Sequence, residues 1–152
     1  MGLDDPQAGR SAICPSEEDA GHIHPDPREL PVAAGVLIAE SLRTGAVLSD
    51  LPFSVRKIQR SASGNATADQ PSVWTLIFFD IADTEAEALA TQLSEALDAP
   101  GWYVDLHTAQ ETFIVFPIRV FRYPRGDSQG RAEAEDYGRA HGIPDSQLDW
   151  PT

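Results

Sequence analysis

The sequence predicts an α+β two-layer sandwich: a four-stranded, mainly antiparallel sheet with helices packed on one face, in the order α-β-β-α-β-β-α. Three observations carry this expectation. The run Gly101–Tyr123, GWYVDLHTAQETFIVFPIRVFRY, is the densest stretch of large apolar and aromatic side chains and reads as a β-hairpin. Two further strand-like runs lie between Phe53 and Ile81, making a second β-β unit. Between the two units sits a segment of helical periodicity that can lie across one face of the sheet.

Taken in order, Pro31–Arg43, PVAAGVLIAESLR, reads as a first helix, with Pro31 in the first turn, Val32, Val36, Ala39 and Leu42 at helical spacing, and Gly45 past the end. The succession Val36-Leu37-Ile38 leaves a strand open as the alternative. Phe53–Arg60 mixes apolar and basic residues on its two faces, the pattern of an edge strand. Ser61–Pro71 is small and polar, hence a loop, and Ser72–Ile81 is apolar on both faces, hence a central strand. Thr84–Leu97 is the second helix: Thr84 and Glu87 form a capping-box signature, Ala86, Leu89, Ala90, Leu93 and Leu97 make one apolar stripe, and Pro100-Gly101 stops it.

Within 101–123, Trp102, Val104 and Leu106 alternate with Tyr103, Asp105 and His107. The expected inward face is Trp102, Val104, Leu106, Ile114 and Phe116. Tyr103, Asp105, His107 and Phe113 fall on the outward face, where the aromatic rings call for a cover. Thr112–Phe116 is almost continuously apolar, as in a strand covered on both sides. Gly130–His141 is a short polar helix with Ala134, Tyr137 and Ala140 facing the core. Ile143, Leu148 and Trp150 give the C-terminal segment enough apolar surface to dock.

A chain of 152 residues suits one core, burying roughly two thirds of the unfolded surface. Residues 1–30 carry seven acidic and two basic side chains, four prolines and no apolar periodicity, and are expected to form an acidic flexible tail. Removing their net −5 from the −13 of the whole chain leaves −8 on residues 31–152, expected as a single α+β domain. This acid excess disfavours nucleic acid and anionic membrane as partners. A single cysteine, Cys14, excludes an intramolecular disulfide, and no apolar run reaches the roughly 20 residues a membrane span needs. A cytoplasmic setting is the expectation.

No phosphate loop, dinucleotide glycine fingerprint, Gly-x-Ser-x-Gly elbow, CxxC pair or HExxH is present. Cofactors are therefore expected to be none. His22 and His24, with Asp26 and Glu29 nearby, are ligand types for a divalent metal, but a tail without a scaffold does not fix their geometry. His107 with Asp105, Glu111 and Tyr103 is the candidate for acid, base or ligand chemistry. The same alternation also predicts these residues as the solvated half of a strand. Tyr103, Phe113, Arg119 and Arg122 are candidates for contact with a ligand or partner. Arg119, Arg122 and Arg125 suit a phosphate or carboxylate, though Arg119 and Arg122 alternate faces in a strand. Pairing with Glu133, Glu135 or Asp136 is the simpler fate of these arginines. Arg125-Gly126-Asp127 reads as a turn before a helix.

The reading that follows is a small binding or regulatory domain without catalysis, of the inhibitor or immunity kind, engaging a basic protein through its sheet face or edge. The rival is an enzyme or small-molecule binder with a pocket at the 101–123 hairpin. A third is a homodimer paired along the strand Phe53–Arg60.

Overall fold

The structure, a computed structural model, describes residues 31–152; the tail expected over 1–30, with Cys14, His22 and His24, lies outside the described residues. The segment VAAGVLI, expected in a helix, is the strand β1, Val32–Ile38, followed by a single 3-10 turn, Ala39–Ser41. Its Ala33, Gly35 and Leu37 are buried on one face, while Ala34, Val36 and Ile38 are half-buried on the other. Alanine's helix preference amounts to a few tenths of a kcal/mol per residue. Ladders on both edges of β1 outweigh it.

The remaining elements are β2, Phe53–Ala62; β3, Val73–Ala82; α1, Ala86–Ala96; β4, Val104–His107; β5, Glu111–Phe116; β6, Arg119–Pro124; and α2, Ser128–Ala140. All pairings are antiparallel, in the order β2-β3-β1-β4-β5-β6. The sheet therefore has six strands rather than four. The helix expected first is its central strand, and the expected hairpin at 101–123 is three strands, because half-buried Pro117 and exposed Ile118 turn the chain between β5 and β6. The edge position of β2 and the interior position of β3 follow the sequence reading.

Register explains why the helices do not share a face. Leu106 pairs with Phe113 and Val104 with Val115, so these four point together at α1, where they join Ala33, Leu37, Phe79 and Ile81. Ile114 and Phe116 point the other way, against Tyr123, Ala134 of α2, Ile143, Leu148 and Trp150. The expected facing is corrected accordingly: Phe113, 2% exposed, belongs to the α1 core, and Ile114 and Phe116 belong to the face of Tyr103. Both described helices stand over the β4–β6 half of the sheet. On the α2 side, no described helix covers the β2–β3–β1 half, which leaves Val36, Ile38, Leu76 and Phe78 half-buried and Val32 53% exposed.

Local chemistry fixes the helix ends. Asp127, the aspartate of the Arg-Gly-Asp tripeptide, is the N-cap of α2, accepting from the N–H groups of Gln129 (3.1 Å) and Gly130 (3.2 Å). The expected capping box of α1 is not formed: a 3-10 turn, Asp83–Glu85, leads into the helix and no side chain caps it. Against the sheet α2 lies close, because Gly130, Ala134 and Gly138 recur every four residues. A Cβ at Gly130 would stand 2.5 Å from the Cβ of Tyr123. Of the expected core positions on α2, Ala134 is buried, Tyr137 half-buried and Ala140 exposed, with Gly138 buried in its place.

Where β1 leaves the sheet after the pair Ile38–Leu76, the next N–H of β3 would be unpaired. Glu40 takes it, accepting from the Thr75 N–H at 2.6 Å and hydroxyl at 2.9 Å, with Arg60 at 3.3 Å. Burial pushes the Glu40 carboxyl up, but the Thr75 hydrogen bonds and Arg60 prevail and hold it below its usual value of 4.5. A carboxyl lowered by folding contributes stability that is complete above its unfolded value and lost as pH falls through the lower folded one. Urea unfolding between pH 6 and pH 3 should therefore show a loss of stability that begins near pH 4.5 and is smaller in Glu40→Gln.

Gly35 lets the two neighbours of β1 close in: a Cβ there would stand 2.7 Å from Cζ of Phe79 and 2.9 Å from the carbonyl oxygen of Asp105. The second contact is backbone and cannot swing away. Gly35→Ala should lower unfolding free energy by about 1–3 kcal/mol, read as a fall in urea midpoint without a change in slope.

Candidate functional site

Alternation along β4 sends Val104 and Leu106 to α1, and puts Tyr103, Asp105 and His107 in a row on the opposite face. His107 Nε2 lies 2.8 Å from Asp105 Oδ2, and its Nδ1 is 3.3 Å from the Thr112 hydroxyl on β5. The carboxylate–imidazole–hydroxyl series resembles a nucleophile relay in connectivity, but the hydroxyl ends in the core, since Thr112 is 1% exposed. No substrate carbonyl can reach it. Glu111 does not join the group: it sits one residue along on β5 and so faces α1, where Arg122 grips it at 2.8 and 2.9 Å.

That grip accounts for one arginine of the expected cluster. Arg122 also reaches Glu87 at 2.9 Å, and its guanidinium holds the Glu111 carboxyl below the usual range. Arg119, across the sheet from Arg122 as the alternation requires, stacks over the Phe121 ring at 4.5 Å. Arg125 donates to the carbonyls of Thr108 and Thr152, both at 3.2 Å. The pairing expected with Glu133, Glu135 and Asp136 is not made by these three, because α2 supplies its own arginines: Arg131 holds Glu135 at 2.9 Å and Arg139 holds Asp136 at 2.8 Å.

Tyr103 is covered by the C-terminal segment. Its hydroxyl donates to the Gln147 carbonyl, and its ring meets Trp150 edge-on at 5.2 Å, while Trp150 Nε1 donates to the Tyr123 hydroxyl at 2.8 Å. Ile143, Leu148 and Trp150 are all buried, as the sequence reading expected of a docked C-terminus. The segment does not stay on the β4–β6 half; it reaches the β2–β3 loop through two buried glutamines. Gln147 Nε2 donates to the carbonyl of Asn65 at 2.7 Å and to Gln70 Oε1 at 2.8 Å, and Gln70 Nε2 donates to the Gly101 carbonyl at 2.9 Å.

Beneath that latch, on the open half of the sheet, lies a cleft of about 250 Å³. Val36 and Leu76 form its floor, Trp74, Trp102 and Tyr103 its aromatic walls, and Asp105 and Asp149 its charge. Trp74 and Trp102 meet edge-on at 5.4 Å. Neither aspartate pairs with lysine or arginine among the described residues. Burial, and then the nearby carboxylates of Asp105 and Asp149, push the Tyr103 phenol far above its usual value. The phenol stays a neutral donor.

Of the expected site residues, the structure brings Tyr103 and Asp105 to the cleft, sets His107 behind it, and sends Glu111, Phe113 and Arg122 to the other face. Reasoning from sequence missed Gln70, Gln147 and Asp149. Their meeting depends on a non-local contact between a loop and the C-terminus, for which no spacing gives a sign. Among the described residues no three or more His, Cys, Asp or Glu gather as a metal site, and no helix is long and apolar enough to cross a membrane. No protein family matches the sequence, and neither a curated relative nor a solved structure is similar enough to guide the reading.

The latch carries a prediction. Gln147→Ala removes the donor shared by the Gln70 side-chain oxygen and the Asn65 carbonyl, leaves the former with the Thr67 N–H alone, and should cost about 1–2 kcal/mol in urea unfolding. Amide exchange should rise in residues 63–72 before it rises in β1.

Proposed function

We propose that this is a non-enzymatic binding domain that engages a basic protein segment across the open half of its sheet, seating one lysine or arginine side chain in the cleft. The observation that carries the reading is the cleft's combination of three aromatic walls with two carboxylates that no described lysine or arginine meets, Asp105 having only the His107 imidazole beside it. A cation over aromatic faces gains about 0.5–2 kcal/mol, more as water is excluded. The half-buried Val36, Ile38, Leu76 and Phe78 beside the cleft offer the apolar contact a peptide backbone would cover. The net −8 of residues 31–152 adds long-range attraction for a basic partner.

Size favours a side chain over a free metabolite. At about 250 Å³ the cleft falls below the range of roughly 300–1,000 Å³ typical of small-molecule sites. The enzyme reading loses support because the hydroxyl of the Asp105–His107–Thr112 row is buried. Self-pairing along β2 loses support from the register shift between Val55 and Lys57 and the charges of Arg56, Lys57 and Arg60, devices that blunt an exposed edge. A cytoplasmic setting accords with the single cysteine.

Fluorescence anisotropy with labelled peptides tests this. An alternating glycine–lysine or glycine–arginine peptide should bind saturably, more weakly as salt rises, while a glycine–glutamate peptide should not. Asp149 is exposed and bears no part of the fold's ladder, so Asp149→Asn should retain stability and weaken the basic peptides about ten-fold. Equal binding by wild type and Asp149→Asn, or none at low salt, would remove the cleft from the function.

A further inference from the structure

On the far side of Trp102 the chain encloses a second and larger cavity, about 520 Å³, between the end of α2, the 99–102 loop and the β5–β6 turn. Its size lies within the range of small-molecule sites. Trp102, Phe116, Tyr137 and Ile143 make it apolar, and His141, stacked on Tyr137 with centroids 4.0 Å apart, is its one imidazole.

Ile118 at the mouth and Arg119 beside it stand out. Ile118 is 88% exposed and has φ +57°, a left-handed conformation that a β-branched residue adopts only under strain. Asparagine or glycine would serve the turn better. An isoleucine there offers apolar surface at the mouth while paying for it in both hydration and backbone energy. Next to it, Arg119 is the one described arginine whose guanidinium makes neither a hydrogen bond nor an ion pair with any described residue, although the domain is rich in acids. It lies instead over the Phe121 ring at 4.5 Å and 5.6 Å from the ring of Tyr137, which lines the cavity.

We propose that this cavity is a binding site for a small planar aromatic carboxylate, its ring between Trp102 and Tyr137 beneath Ile118 and its carboxylate toward Arg119. The apolar lining takes the ring, and the Arg119 guanidinium, which meets no acid among the described residues, selects the charge. The inference concerns a different cavity from the cleft and stands whether or not a basic peptide binds there.

The test is calorimetric titration of the full chain with naphthalene-2-carboxylate and its neutral counterpart, 2-naphthylmethanol. The acid should bind saturably and at least about ten-fold more tightly than the alcohol, the worth of one charged hydrogen bond. Arg119→Gln should bring the two to parity without abolishing the alcohol's binding. Ala140→Trp, at an exposed position on the cavity wall, should abolish both. Ile118→Asn should weaken both ligands while the melting temperature holds or rises, a divergence that a purely structural role for Ile118 does not give. If Ala140→Trp proves unfolded, Ile118→Asn decides alone. The proposal is overturned if neither compound saturates, if acid and alcohol bind equally in the wild type, or if a folded Ala140→Trp binds as before.

Discussion

Everything in this fold depends on the two ladders of one strand. β1 pairs with β3 over seven residues and with β4 over three, and it is the sole link between the β2–β3 hairpin and the β4–β5–β6 meander. Both partners must approach closely, which is why Gly35 sits where the Phe79 ring and the Asp105 carbonyl converge. Where the ladder ends, Glu40 supplies the missing acceptor from a side chain. A chain that begins its described part at the sheet's centre and wraps hairpins on either side must bring its end back over one half. On that face no described helix covers the other half.

How legible this was in the sequence depends on whether a segment's partners are local. The α1 stripe, the edge character of β2, the interior character of β3 and the docking of Trp150 were readable, because each rests on periodicity or composition within one segment. β1 was not: VAAGVLI is apolar on both faces although only one of them is fully buried, so its sequence carries no alternation to separate it from a helix. The error in β5 is more instructive. Thr112–Phe116 reads as a strand covered on both faces, and that observation already conflicts with helices on one face only. Followed through, it places α2 opposite α1. What the sequence could not supply was the register with β4, and a one-residue slip there exchanges Phe113 for Ile114 between the two cores.

Charge is arranged with the same economy. On the α1 face Arg122 is shared by Glu87 and Glu111, and along α2 Arg131 and Arg139 consume Glu135, Asp136 and Asp145. Such exposed pairs contribute only about 0–1 kcal/mol each, so their number says little about stability. Their effect is to cancel local fields, which makes the exceptions informative. Among the described residues, Asp105 and Asp149 in the cleft lack a lysine or arginine, and Arg119 beside the larger cavity lacks an acid. Opposite charges are thus left over at two different concavities.

Both concavities share Gly101 and Trp102, and this shared wall follows from the sheet's topology. The 99–102 segment is the connection from α1 on one face to β4, whose other face α2 and the C-terminus cover, so it must pass the sheet's end between the two layers. A tryptophan there presents one edge to Trp74 and the cleft and the other side to Phe116 and Tyr137. The Gln70 side chain holds the backbone at Gly101 by its carbonyl, and Gln70 in turn is held by Gln147. The outward row that alternation singled out, Tyr103, Asp105 and His107, thereby divides in function. Tyr103 and Asp105 face the open cleft. His107 is spent orienting Asp105 from behind, through a hydroxyl the core has closed off.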